Sequence, residues 1–229
     1  MNINKNNWRC ELKFIIIGQS SESVFSLIKT HPAMFSEIYH ERKINNIYCD
    51  TLNFHTFSDN VMGIADRLKV RIRWYGETFS SIEKPILEFK IKSGLAGRKE
   101  YFRMKPLSID KETTANYISQ EINNTKVTSA AKKVLLVTKP VLINNYFRRY
   151  FISSCKNFRI TFDTNLMFYS FLGRRRSAVP ANQNILEIKF NKSNLINSNN
   201  VTNHFPFRVN KSSKYITGLN LLPGMPVIY

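Results

Sequence analysis

Apolar and polar residues alternate with a period of two over much of the chain, in segments 67–74, 86–92, 146–151, 158–163 and 185–190. Successive side chains of a strand point to opposite faces, so this spacing predicts strands as the dominant element. A helical period appears in three places. Segment 21–30 carries Val24, Leu27 and Ile28 after a serine start, with Pro32 beyond its end. Segment 110–137 reads as two helices, the second capped at Thr128, and segment 212–222 closes the chain as a third site of helix. The Asn- and Ser-rich stretch 191–203 and the Ser-Asn-Pro surroundings of 177–184 read as loops. No internal repeat is visible, and the helices look peripheral to a sheet.

The unusual feature is what alternates. A half-buried strand normally sets one apolar face against one mixed polar face, but here the polar face is charged and mostly basic. Arg67, Lys69, Arg71 and Arg73 share one side of their strand, and Leu68, Val70, Ile72 and Trp74 share the other. The arrangement returns as Glu88, Lys90 and Lys92 opposite Leu87, Phe89 and Ile91, and as Arg9, Glu11 and Lys13 opposite Cys10, Leu12 and Phe14. It returns again as Tyr146 and Arg148, as Arg159, Thr161 and Asp163, and as Glu187 and Lys189 opposite Leu186, Ile188 and Phe190. One such strand is compatible with a solvated face, whereas several argue for a shared purpose. Antiparallel strands closed into a barrel would turn one set inward and the other outward. Cations gathered in a lumen need an anion of high charge density, and phosphate chains match both the Arg fork and the compact Lys charge. The glutamates on those faces are either ion-pair partners or ligands for a divalent metal that grips phosphate oxygens.

Composition agrees with a polyanionic partner. The 229 residues carry 34 Lys plus Arg against 16 Asp plus Glu, a formal charge of +18, which on its own would fit nucleic acid, an acidic membrane face or polyphosphate. Three scattered cysteines, Cys10, Cys49 and Cys155, argue against a disulfide framework or zinc site and for a reducing compartment. The four histidines show no metal-ligand spacing, and no glycine-rich phosphate loop or Ser-His-Asp order is present. The apolar run 14–17 is too short for a signal core or a membrane span. A cytoplasmic location is expected, with a peripheral position at an anionic membrane compatible with the charge.

These segments, taken in order, resemble the VTC (vacuolar transporter chaperone) catalytic domain of polyphosphate polymerases, within the triphosphate tunnel metalloenzyme, or CYTH-like, superfamily. Arg9-Cys-Glu-Leu-Lys13-Phe is similar to the family's opening strand, and Asn46-Ile-Tyr-Cys-Asp50-Thr to its Tyr-Phe-Asp-Thr segment. Lys69-Val-Arg71-Ile-Arg73-Trp-Tyr-Gly76 resembles the Arg-x-Arg-Trp-Tyr-Gly strand and is the most specific piece. Leu87-Glu-Phe-Lys90, Tyr146-Phe-Arg148, Arg159-Ile-Thr-Phe-Asp163-Thr, Leu186-Glu187-Ile-Lys189 and Lys211-Ser-Ser-Lys214-Tyr each follow where the family carries a counterpart.

The resemblance implies an α+β fold: an antiparallel β-barrel with peripheral helices and a C-terminal helix, in a single domain over 1–229. It implies that Lys13, Arg71, Arg73, Lys90, Arg148, Arg159, Lys211 and Lys214 contact phosphate, with Tyr146 assisting. Lys69, Lys92 and Lys189 belong to the same phosphate-binding set. Glu187 is the expected ligand of Mn2+ or Mg2+, with Glu11 and Glu88 as second candidates. A further basic position falls on Lys99 or Arg103, because the spacing does not align cleanly. No phosphate-sensing SPX domain or membrane helices are visible, so a stand-alone bacterial-type module is expected. The implied activity is transfer of the ATP γ-phosphoryl group to inorganic polyphosphate. The alternatives are hydrolysis of triphosphate or nucleoside triphosphate, and polyanion binding without turnover. Tunnel hydrolases usually open on Glu-x-Glu-x-Lys, and Arg9 standing in place of the first glutamate favours the polymerase.

Overall fold

The structure, a computed structural model, describes residues 9–93, 96–171 and 177–224. Its strands are β1 (Arg9–Ile16), β2 (Ser36–Thr51), β3 (Arg67–Tyr75), β4 (Ser81–Ile82), β5 (Ile86–Ser93), β6 (Ala96–Arg103), β7 (Leu107–Ser108), β8 (Thr138–Ile152), β9 (Phe158–Ser170), β10 (Val179–Pro180) and β11 (Asn184–Asn191). Its helices are α1 (Ser21–Lys29), α2 (His55–Val61), α3 (Ala115–Asn123), α4 (Ser129–Val137), α5 (Leu195–Thr202) and α6 (Lys214–Leu221). The chain gathers into two compact units, neither continuous in sequence. The first comprises residues 1–42, 146–166 and 182–212, and the second comprises 43–145, 167–181 and 213–229. Strands β2, β8 and β9 each run from one unit into the other.

In the first unit β1 pairs antiparallel with β11, and β11 pairs antiparallel with β9. The apolar faces of these strands form a core of Phe14, Ile16, Phe158, Ile160, Phe162, Leu186, Ile188 and Phe190. Val24 and Ile28 of α1 and Val201 of α5 complete it. In the second unit β3 lies between β2 and β5, and β6 follows β5, all antiparallel. There Ile47, Val70, Ile72, Trp74, Leu87 and Phe89 pack with Ile118 and Ile122 of α3 and Ala131 and Leu135 of α4. Each such large side chain contributes about 1.5–3 kcal/mol by leaving water. The apolar set of each alternating strand is thus covered by helices, as the pattern requires.

Three helices start on side-chain caps, of which the sequence pattern predicts Thr128. Ser20 accepts the Ser23 amide, Thr114 that of Tyr117 and Thr128 that of Ala131. One expectation is corrected, and one stretch without a predicted element is filled. Segment 191–203 is not a loop: β11 ends at Asn191, and α5 follows because Val201 is buried in the first unit's core, overriding the weak helix propensity of Asn and Ser. Segment 138–145 belongs to β8, and residues 140–146 are buried without interruption, so no alternation marked them.

Helix α6 sits close to its neighbours through Gly218. A Cβ there would meet the Phe168 ring and stand 2.8 Å from Leu142 Cδ2. Gly218→Ala should therefore lose about 1–3 kcal/mol of stability by overpacking, although alanine is the better helix former. Urea unfolding of the two proteins measures the difference.

Candidate phosphate-binding site

In the second unit the strand register carries the basic residues onto one face. Tyr48 of β2 stands opposite Arg71 of β3, and Asn46 opposite Arg73. Arg71 stands opposite Glu88 of β5, Lys69 opposite Lys90, and Arg67 opposite Lys92. Lys90 in turn faces Lys99 of β6, and Glu88 faces Tyr101. Arg71 donates from Nε and Nη2 to Glu88 Oε2 at 2.8 and 2.7 Å. Glu88 Oε2 also lies 3.8 Å from Arg73, and Oε1 lies 3.6 Å from Lys99. Of the two basic positions left open by the spacing, Lys99 is therefore the one beside this cluster.

Glu88 is 1% exposed. Burial works against its charge, but Arg71, Arg73 and Lys99 outweigh that and hold its carboxyl below the usual carboxylate range. This is the geometry of an ion-pair partner, and a metal at Glu88 would have to displace those cations. Arg73 is oriented otherwise, by donating from Nε to Asn46 Oδ1 at 2.9 Å.

The start of α6 is fixed by two contacts in the same unit. Lys69 Nζ donates to Ser213 Oγ at 2.9 Å. The Tyr215 hydroxyl donates to Asp50 Oδ2. Asp50 is fully buried and also accepts the amides of Thr51, Thr56 and Phe57 at 2.7, 2.9 and 3.0 Å. It so caps α2, whose own first residues offer no side-chain cap. Burial, then the charge of Asp50, pushes the Tyr215 phenol well above its ordinary value, so Tyr215 acts as a donor. Burial, then Asp50, also pushes the Cys49 thiol up to about 12 and makes it unreactive. Lys214, next to Tyr215, is thereby placed by the Asp50 anchor.

In the first unit Lys13 stands opposite Glu187, and Glu11 opposite Lys189. Glu187 faces Thr161, and Lys189 faces Arg159. Lys13 Nζ donates to the Ser212 carbonyl at 3.2 Å, next to the exposed Lys211. Lys189 Nζ is 3.3 Å from Glu187, which is 7% exposed. Arg148 makes a two-point contact with Asp163, at 2.5 Å from Nε and 2.6 Å from Nη2, with its guanidinium 5.1 Å from the Tyr146 ring centroid. Burial disfavours the Arg148 charge, yet Asp163, Tyr146 and Glu187 outweigh it and push its pKa up. Arg148 is a permanent cation. Arg159 is exposed on the same strand face.

The sequence pattern placed the cations but missed their acceptors. Asp163 was visible only as a member of an alternating set, and Asn46 and Asp50 only as residues of a motif. Asn144 carried no signal and Thr161 was visible only in the same alternating set, although Asn144 Nδ2 and Thr161 Oγ1 are buried with no hydrogen-bond partner among the described residues. His31 is a core residue: its Nδ1 accepts the Ala33 amide and its Nε2 meets the Val201 carbonyl. The Arg174-Arg-Arg176 run lies outside the described residues. Among the described residues no three His, Cys, Asp or Glu side chains come together. A divalent ion would accordingly take one or two carboxylates and fill its shell with phosphate oxygens and water, as Mg2+ habitually does. Glu187 fits that demand, on a face where Lys13 stands opposite it.

Two outcomes follow from this geometry. The depressed Glu88 carboxyl contributes stability that is fully present above the unfolded carboxylate pKa and lost as pH falls through the lower folded one. The stability gap between the native chain and Glu88→Gln should be flat from pH 7 to about 5 and close as the solution is acidified below about 4, read by denaturant titration at each pH. Tyr215→Phe removes one donor from a buried carboxylate and should lose about 1–3 kcal/mol in the same assay.

Comparison with known proteins bears on the fold and the family. No curated protein matches the chain. Among solved structures, an adenylate cyclase candidate from Vibrio parahaemolyticus is 12% identical, with a TM-score of 0.51, and the match covers 93% of this chain and 99% of that one. An adenylate cyclase candidate from Bacillus halodurans is 12% identical, with a TM-score of 0.52, over 93% and 96%. An adenylyl cyclase candidate from Hippeastrum, described as having a dominant triphosphatase activity, is 15% identical, with a TM-score of 0.50, over 93% and 98%. At such identities the likeness shows the fold alone, mostly antiparallel sheet with helices. The family model of the VTC domain matches residues 8–223, and the chain belongs to the VTC domain family.

Proposed function

We propose that this chain is a polyphosphate polymerase, transferring the γ-phosphoryl group of ATP to the end of an inorganic polyphosphate chain. The observation that carries the reading is the register of β2, β3, β5 and β6. It sets Lys69, Arg71, Arg73, Lys90, Lys92 and Lys99 on one strand face with Glu88 as the carboxylate among them. Such a face is short of negative charge by several units, and a triphosphate is the compact anion that supplies it. Membership of the VTC family supports the same conclusion.

Phosphoryl transfer asks a protein chiefly for positioning and charge stabilisation. Arg71 and Arg73 bind the phosphoryl group being transferred, with Lys69, Lys90 and Lys92 holding its neighbours. In the first unit Lys13, Arg148, Arg159, Lys189 and Lys211, aided by the Tyr146 ring against Arg148, bind phosphates of nucleotide or polymer, and in the second unit Lys214, at the start of α6, is a further phosphate contact. Glu187 holds Mn2+ or Mg2+, with Glu11 as the second carboxylate on that face. The ion, when bound, neutralises phosphate oxygens and so eases departure of ADP.

Hydrolysis of triphosphate is the second reading, favoured by the triphosphatase activity described for the Hippeastrum neighbour. It differs in the acceptor, water in place of a phosphate. The purified chain with ATP and manganese should release ADP and form acid-stable polymer, and Arg73→Ala or Glu187→Ala should lower the rate at least a hundredfold. Orthophosphate without polymer would establish the hydrolase. Full activity of either variant would remove the assignment of these residues.

No helix among the described residues is long and apolar enough to cross a membrane. A cytoplasmic polymerase acting on ATP is the setting in which this activity is proposed.

A further inference from the structure

Arg73 is held by a chain of side chains with a direction. Its Nε can only donate, so the Asn46 atom 2.9 Å away is the carbonyl oxygen. That fixes the Asn46 amide and turns its NH2 toward Asn144, whose Oδ1 accepts at 2.9 Å. The polarity of the whole chain is set from the arginine outward, without appeal to electron density. It ends at Asn144 Nδ2, a buried donor with no partner among the described residues. Both asparagines are 0% exposed, and all three residues belong to the second unit.

The direction matters because an amide can turn over. With its oxygen toward Arg73, Asn46 accepts from Nε. With its NH2 there, two donors face each other, and the guanidinium is pushed out of place. Asn46 is held by its two partners, and Asn144 supplies the acceptor that only the correct orientation uses. Among the described residues Arg73 has no comparable second restraint, since Glu88 at 3.8 Å from Nη1 is beyond hydrogen-bond distance. Arg71, by contrast, is held at two points by Glu88.

We propose that Asn144 is a positioning residue for phosphate binding: its Oδ1 anchors the Asn46 amide in the orientation that Arg73 requires and, through Asn46, holds the Arg73 guanidinium toward a phosphate group. The inference rests on the phosphate-binding reading of the basic face and adds to it a buried neutral residue that acts through Asn46.

The test is a double-mutant cycle on the full chain, with affinity for inorganic tripolyphosphate read by calorimetry at one fixed salt concentration. The four proteins are the native chain, Asn144→Ala, Arg73→Lys and the combination. Asn144→Ala should weaken binding about tenfold in the native background. In the Arg73→Lys background, which has no Nε to aim, it should change binding by less than about twofold. An equal loss in both backgrounds would show that Asn144 acts on the fold at large, and no loss in the native background would show that it does nothing for binding. Either result overturns the inference while leaving the phosphate-binding reading intact. A native chain that does not bind tripolyphosphate removes both. If thermal melting shows Asn144→Ala to be unfolded, Asn46→Ala, which takes away the Nε acceptor directly, carries the same cycle with the same outcomes.

Discussion

The structure is governed by repulsion among like charges held on one strand face. Neighbouring strands lie about 4.8 Å apart, and the register sets Lys69 against Lys90 and Lys90 against Lys99. With no ligand present, such a face has to be kept together by the protein itself. The closest acceptors go to the arginines. In the second unit Arg71 has Glu88 and Arg73 has the neutral oxygen of Asn46, and in the first unit Arg148 has Asp163. Two of these acceptors are carboxylates almost wholly out of water, where the attraction is least screened and the charge would be costly alone. The carboxylates therefore depend on the arginines as much as the reverse.

The same constraint explains why apolar side chains alternate so strictly with the charged ones. A face that repels itself gains nothing from burial, so the opposite face has to supply the cohesion. Each unit does so with its own core, β1, β9 and β11 under α1 and α5 in one, β3 and β5 with α3 and α4 in the other. Helix α6 is held differently. It is tied through Tyr215 to Asp50, and Gly218 lets it lie against Phe168 and Leu142. A single buried carboxylate thus caps α2 and seats the helix that begins at Lys214, which couples the stability of the fold to the placement of a proposed phosphate ligand.

Much of this was legible in the sequence, because a period of two is a statement about faces and the charged set fell on one of them. Strands β1, β3, β5, β9 and β11, the later half of β8 and the three predicted helical regions required nothing beyond spacing, whereas β2 and β6 were not read from it. Partnerships were not legible, since they depend on register between strands distant in sequence. Arg71 and Glu88 lie 17 residues apart, Arg73 and Asn46 lie 27 apart, and Tyr215 and Asp50 lie 165 apart. Helix α5 escaped notice because Asn and Ser dominate it and its packing rests on Val201. The start of β8 escaped because it is buried on both faces.

Pairing an arginine might seem to withdraw it from binding, but the chemistry of the side chain argues otherwise. A guanidinium carries five N–H donors in a rigid plane, and a carboxylate gripping Nε and one Nη nitrogen takes two of them. The remaining donors keep the direction that the acceptor has imposed. Arg71 and Arg148 are both held in this way, through Nε and Nη2. The partner thereby lowers the conformational entropy that a phosphate would otherwise have to remove on binding. A lysine, with a flexible stem and a point charge, gains no such alignment from a partner. In each unit the arginines are thus the fixed elements and the lysines the adaptable ones, which suits the phosphate-binding role proposed for them.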